Sequence, residues 1–250
     1  MQFILTIAIL CLGLIVGSFV SAWVFRLSTG RSIIYGRSAC MSCNVTLRWY
    51  ELVPVASFLL LRGKCRSCAT SIPRQDLLLE VVMGGLFALI YVIFGLTLQS
   101  VLLALGIVFL VALSAYDFRH TIIPDQFVGP FIILGGIAAV LSPAPIEYIL
   151  AGLFSGLFFV SLWFVSGGRW MGLGDGKLAV GIGLFLGPAL SVSAIMFAFW
   201  AGAIVSLILL ALTKWGRVEF SLKSHIPFAP FLAFGFLFAL FSNISFFPWI

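Results

Sequence analysis

The sequence predicts an all-α fold, a polytopic helical membrane protein of about eight transmembrane helices. Three observations carry this. The 250 residues are 62% hydrophobic and only 9% charged, with a mean hydropathy of +1.23, far less polar than a water-soluble domain of this length can be. Apolar runs near the roughly 20 residues that cross a bilayer as helix recur from end to end. The basic residues sit in the breaks between those runs, as the cytoplasmic loops of membrane proteins require.

The first span is expected from about Phe3 to Phe25. Val20-Ser21-Ala22 loosely resembles a signal-peptidase site, but no basic segment precedes the run and it continues to Arg26. An uncleaved helix with its N-terminus outside is the expectation. Eight of the fourteen basic residues then fall between Arg26 and Arg74, which places a loop of some fifty residues in the cytoplasm. Further spans follow at Leu77–Gly95, Ser100–Tyr116, Ile123–Leu141 and Ile149–Val165. Lys177 to Thr213 is too long for one span, and Gly187-Pro188 is the natural break between a short sixth helix and a longer seventh. Ile226–Phe247 closes the chain as an eighth. Under this layout every basic loop is cytoplasmic and no outer loop carries Lys or Arg. The division is 1–25 as first helix, 26–76 as cytoplasmic loop domain and 77–250 as membrane domain. The net charge of +6 thus reports topology and contact with anionic lipid, and no nucleic-acid partner is expected.

The loop carries Cys40-Met41-Ser42-Cys43 and Cys65-Arg66-Ser67-Cys68. Two CxxC turns supply four thiolates, the ligand set of a closed tetrahedral zinc site. A cytosolic setting keeps such thiols reduced. Zn2+ at Cys40, Cys43, Cys65 and Cys68 would be structural, stabilising a loop with few apolar residues. A redox dithiol is the competing reading, made less attractive by two separate units.

Two polar breaks carry aspartates at inner helix ends. One runs Tyr116-Asp117-Phe118-Arg119-His120-Thr121-Ile122-Ile123-Pro124-Asp125, the other Gly172-Leu173-Gly174-Asp175-Gly176-Lys177. An acid at the edge of hydrocarbon is costly and marks function. Two that meet could share one proton, one activating water and the other polarising a scissile carbonyl. Gly174 and Gly176, before and after Asp175, allow close approach of backbone beside it, and Gly172 opens the same motif as a supporting residue. Asp125 reads as a helix N-terminal acid complementing the dipole. Lys177 either tunes Asp175 or anchors its helix, and the anchor is favoured. Glu80, at the start of the second span, is either another N-terminal acid or part of a pocket. Cys11 reads as a buried inert thiol, and His120 and His225 as interface residues.

The two aspartate motifs resemble those of the GxGD membrane aspartyl proteases, in particular the bacterial type IV prepilin peptidases. The likeness extends over Gly17-Ser18-Phe19, Tyr50 to Ser57, Gly63 to Cys68, Pro73-Arg74 and Glu80, and late in the chain over Ile226-Pro227-Phe228-Ala229-Pro230-Phe231-Leu232. Ala229 stands where the family usually has glycine, and Ser21 where an asparagine is common. The resemblance implies that Asp117 and Asp175 are the catalytic pair of an enzyme in the bacterial inner membrane. It implies cleavage of prepilin or pseudopilin leaders after a glycine on the cytoplasmic side, followed by S-adenosylmethionine-dependent methylation of the new N-terminus. The bilayer and the pilin precursors are the partners it implies. A proton- or cation-coupled transporter would place acids nearer mid-span; a zinc-stabilised scaffold of a secretion machine would need no dyad.

Overall fold

The structure is a computed structural model that describes residues 2–32, 35–214 and 226–246. Arg217, Lys223, His225 and Phe247, the last residue of the expected eighth span, lie outside the described residues. The described chain is helical apart from turns and isolated bridges: α1 (Gln2–Ser28), the short α2 (Ala56–Leu60), α3 (Arg74–Phe94), α4 (Leu98–His120), α5 (Asp125–Val140), α6 (Pro145–Ser166), α7 (Leu173–Lys214) and α8 (Ala229–Ser242). Five of these helices are long and apolar enough to cross a membrane, and α5 and α8 are shorter apolar helices. In α7 the helix breaks at Gly187, where φ is 72° and ψ −176°. A Cβ there would fall 3.0 Å from the Tyr148 ring, so glycine answers both the dihedral and the contact.

Several helices begin earlier than the apolar runs suggest. α3 starts at Arg74 behind Pro73, and α6 at Pro145 with Glu147 in its first turn. Pro before or at the first helical position and an acid in the first turn are favourable there, so polarity hides the helix start from a hydropathy reading. Glu80 consequently lies in the second turn of α3 rather than at its start.

The chain divides into two compact units, Met1–Ala104 and Leu105–Ile250. In the first, α1 packs on α3. The α1 residues buried at this contact, Gly13, Gly17, Val20 and Val24, recur at helical spacing. A Cβ on Gly13 would stand 2.7 Å from the Met83 carbonyl, and one on Gly17 2.7 Å from the Glu80 Cα. Small residues permit backbones to approach where lipid supplies no hydrophobic drive between helices, and association rests on close packing. Cys11 lies on the exposed face of α1, not in a protein interior. It is offset from the Gly13–Gly17 face that meets α3.

In the second unit, α7 is the hub and packs against α5, α6 and α8. Gly183 faces the Ala151 carbonyl of α6, and Gly235 of α8 faces the Ala194 carbonyl, where a Cβ would fall at 2.5 Å and 2.1 Å. Around these contacts, buried and half-buried rings fill the remaining volume. Phe159 stacks on Phe199 at 6.0 Å, and Phe131 meets both Phe185 and Phe236. Ring pairs at such separations add to dispersion contact.

Candidate functional site

In the second unit, three helix ends define a polar centre. Asp117 occupies the last turn of α4 and Asp175 the first turn of α7. Both are buried, 4% and 8% exposed. Asp175 is the third residue of α7, and its Oδ2 accepts the Gly172 N–H at 3.2 Å. This is the reach-back half of a capping box, and it satisfies a donor left open at a helix start. Asp117 Oδ2 accepts the N–H of Ala229, the first residue of α8, at 3.0 Å. Pro230 follows and has no N–H to offer, so the Ala229 amide is a leading donor of that terminus. Each acid therefore lies against the positive end of a helix. The α7 terminus that carries Asp175 packs through Gly174 on Ile123, six residues beyond Asp117. Paired carboxylates can share a proton and hold water between their oxygens.

The glycines of the second motif divide the work of placing Asp175. Gly172 supplies the N–H. Gly174 lies against the loop between α4 and α5, where a Cβ would stand 2.7 Å from that of Ile123. The α7 terminus thus seats directly on Ile123, and any side chain at 174 would lift it. Lys177 does not hydrogen-bond to Asp175. Its Nζ donates to Asp125 Oδ1 at 2.6 Å, an exposed ion pair joining the first turn of α5 to the second turn of α7. Asp125 combines this pairing with its first-turn place in α5, whose N-cap is Pro124.

The four cysteines gather in the first unit, with all four Sγ atoms within 4.8 Å of one another. Each CxxC forms the same turn. The Cys40 N–H donates to the Val45 carbonyl and the Asn44 N–H to the Cys40 carbonyl; Cys65 N–H to Thr70 and Ala69 N–H to Cys65 repeat the pattern. Asn44 and Ala69 both take φ of 55° to close it. The bridges Ala39–Thr46 and Lys64–Ser71 flank the two turns. Cys40 and Cys68 Sγ are 3.7 Å apart, close to the ~3.8 Å edge of a tetrahedron with 2.3 Å metal–sulfur bonds. Hydrogen bonding with the Thr70 side chain, then with its backbone, holds the Cys68 thiol down to about 6. The backbone N–H groups of Cys43 and Ser42 lower Cys40. The set can hold a metal ion, and thiolates are the form that ligates.

Glu80 belongs to neither centre. Its Oε2 accepts the Val55 N–H at 2.7 Å. Val55 has φ of 59°, unusual for a β-branched residue, and a charge-assisted bond offsets such strain. One turn earlier on α3, Asp76 Oδ1 accepts the Ser21 hydroxyl at 2.7 Å. Asp76 carries no motif of its own; its i, i+4 spacing to Glu80 on one helix face is its signal in the sequence. The Ala229 amide has no such signal, since a backbone donor leaves no side-chain signature.

Comparison with known proteins gives a consistent result. Residues 11–94 match the family described as Bacterial Peptidase A24 N-terminal domain, and residues 104–207 the Type IV leader peptidase family. A prepilin leader peptidase/N-methyltransferase of Burkholderia pseudomallei is 33% identical over 94% of this chain and 85% of its own. Proteins of the same name are 32% identical in Bacillus subtilis, over 91% and 90% of the two chains, and 30% identical in Pseudomonas aeruginosa, over 89% and 85%. No solved structure gives a significant match. With both family matches and these relatives spanning most of its length, the chain belongs to the type IV leader peptidase family, the prepilin leader peptidase/N-methyltransferases.

Proposed function

We propose that this protein is a bacterial inner-membrane aspartic endopeptidase that removes the leader of type IV prepilins or pseudopilins at the cytoplasmic face and then methylates the new N-terminus. Asp117 and Asp175 are its catalytic pair. The observation that carries this reading is the pair of buried carboxylates at helix ends, each held through one oxygen by a backbone N–H. Held this way, each acid keeps its second oxygen for chemistry.

In the reaction, the ionised member takes a proton from water as the oxygen of that water bonds to the scissile carbonyl carbon. The protonated member hydrogen-bonds to the carbonyl oxygen and stabilises the charge that forms there. Collapse of the tetrahedral species breaks the C–N bond, and a proton returns from the dyad to the departing amine. Gly172 and Gly174 fix the approach of Asp175, while Lys177 and Asp125 tie the adjoining helix starts. A substrate helix in lipid, with its basic leader in the cytosol, would bring a bond beyond its glycine to this depth.

Zinc is the metal proposed for Cys40, Cys43, Cys65 and Cys68. Four protein thiolates close the coordination sphere, so its role is to cross-link residues 26–76 into a folded domain. Residues 1–25 and 77–250 supply the membrane helices on this division. S-adenosylmethionine would supply the methyl group for the second step.

Mass spectrometry of purified prepilin incubated with the purified protein tests the reading. The expected product begins immediately after the leader glycine and, with the methyl donor present, gains one methyl group. A precursor left intact by folded protein would contradict the peptidase assignment.

A further inference from the structure

The first unit contains a cavity of about 720 Å³, bordered by α1, α3 and the loop between them. That volume falls within the roughly 300–1,000 Å³ of small-molecule sites. Its polar wall includes Asp76 and Glu80, one turn apart on α3, with Ser21 and Arg26 on α1; Ala22 and Phe25 give an apolar wall. We propose that this cavity is the methyl-donor site, with the carboxylates of Asp76 and Glu80 facing the cationic and hydroxylated parts of S-adenosylmethionine. The assignment rests on the methyltransferase half of the proposed function.

The chemistry of the wall matches that of the ligand. S-adenosylmethionine carries a sulfonium, an ammonium, a ribose diol, a carboxylate and a flat base. Carboxylates accept hydrogen bonds from a diol or an ammonium and offset a sulfonium charge, which a purely apolar wall would disfavour. The wall carboxylates are held in place before any ligand arrives. The Ser21 hydroxyl fixes Asp76 and the Val55 N–H fixes Glu80. An ionised carboxylate has about four acceptor positions, so a single backbone bond leaves Glu80 capacity toward the cavity. Arg26 brings the opposite charge. Its Nη atoms hold the Ser32 and Gly36 carbonyls, fixing the guanidinium beside the cavity, where its positive charge favours a ligand carboxylate. Phe25 and Ala22 offer the apolar surface an adenine ring needs. A zwitterion with an added positive sulfur fits walls of mixed sign better than a simple anion or a simple cation does.

The test uses the full chain in detergent micelles with radiolabelled S-adenosylmethionine and no pilin acceptor, in equilibrium dialysis. Wild-type protein is expected to bind it at one site. Glu80→Gln keeps the size and an acceptor for Val55 but removes the charge, and Ala22→Trp fills the cavity; each is expected to weaken binding at least tenfold. Either variant binding as tightly as wild type would overturn the proposal. Photolabelling of wild-type protein with an azido derivative of the donor does not depend on any variant folding. Label within residues 18–80 supports the site, and label confined elsewhere overturns it. Methylation of cleaved pilin by the same wild-type sample separates the two failures. Methylation with label elsewhere sinks the cavity alone, whereas a sample that cleaves but never methylates sinks the methyltransferase reading and the site with it.

Discussion

The two compact units handle their polar residues in opposite ways. In Leu105–Ile250 the decisive acids are buried, among helices joined by glycine contacts and phenylalanine rings. In Met1–Ala104 the decisive groups are only partly covered and are held by short polar links, Ser21 to Asp76, Val55 to Glu80, and two matching cysteine turns. The difference teaches what each unit can tolerate. Where packing fixes a carboxylate, displacing the helix is as damaging as removing the acid. Where a loop has little apolar content, a cross-link must replace the missing core.

The largest effect is expected from the acids themselves. Asp117→Asn or Asp175→Asn should lower prepilin cleavage by about 10²–10⁴-fold, the range of acid–base contributions, with thermal unfolding unchanged. Next, Gly174→Ala sets a Cβ 2.7 Å from that of Ile123. A misplacement near 1 Å can cost about 10²-fold in rate, so a comparable fall is expected. Ile123→Ala should restore part of it, as a kinetic assay of the double variant would reveal. In the first unit, Cys65→Ser or a strong chelator should strip the metal measured by atomic emission and make residues 35–72 sensitive to protease. Apparent metal-binding free energies on the order of 10 kcal/mol in small zinc domains give the scale. The smallest effect belongs to Lys177→Ala. Its ion pair with Asp125 is 51% and 77% exposed, and exposed pairs contribute about 0.2–1 kcal/mol, a small shift in the unfolding midpoint.

Much of this architecture was legible in the sequence because apolar length and Gly-Pro punctuation are local signals. The break in α7 falls at Gly187, as that punctuation suggests. The starts of α3 and α6 were less legible, since Arg74, Asp76 and Glu147 make a helix terminus look like loop although an acid is favourable there. At the candidate site, the aspartates and their glycines stand out by motif, and the cysteines by spacing. The partners do not. Asp117 meets the Ala229 amide 112 residues away, and Lys177 meets Asp125 across 52. Those pairings depend on which helix ends the packing of α7 brings together, and no local pattern encodes that.

The central claim is that Asp117 and Asp175 act as one catalytic unit. Rates of prepilin cleavage by Asp117→Asn, Asp175→Asn and the double variant test it most directly. Residues that act as a unit are strongly non-additive. Each single variant is therefore predicted to fall to the background rate, and the double variant to fall no further. Cleavage by either single variant within about tenfold of wild type, a loss smaller than acid–base catalysis accounts for, or single losses that multiply in the double variant, would contradict it.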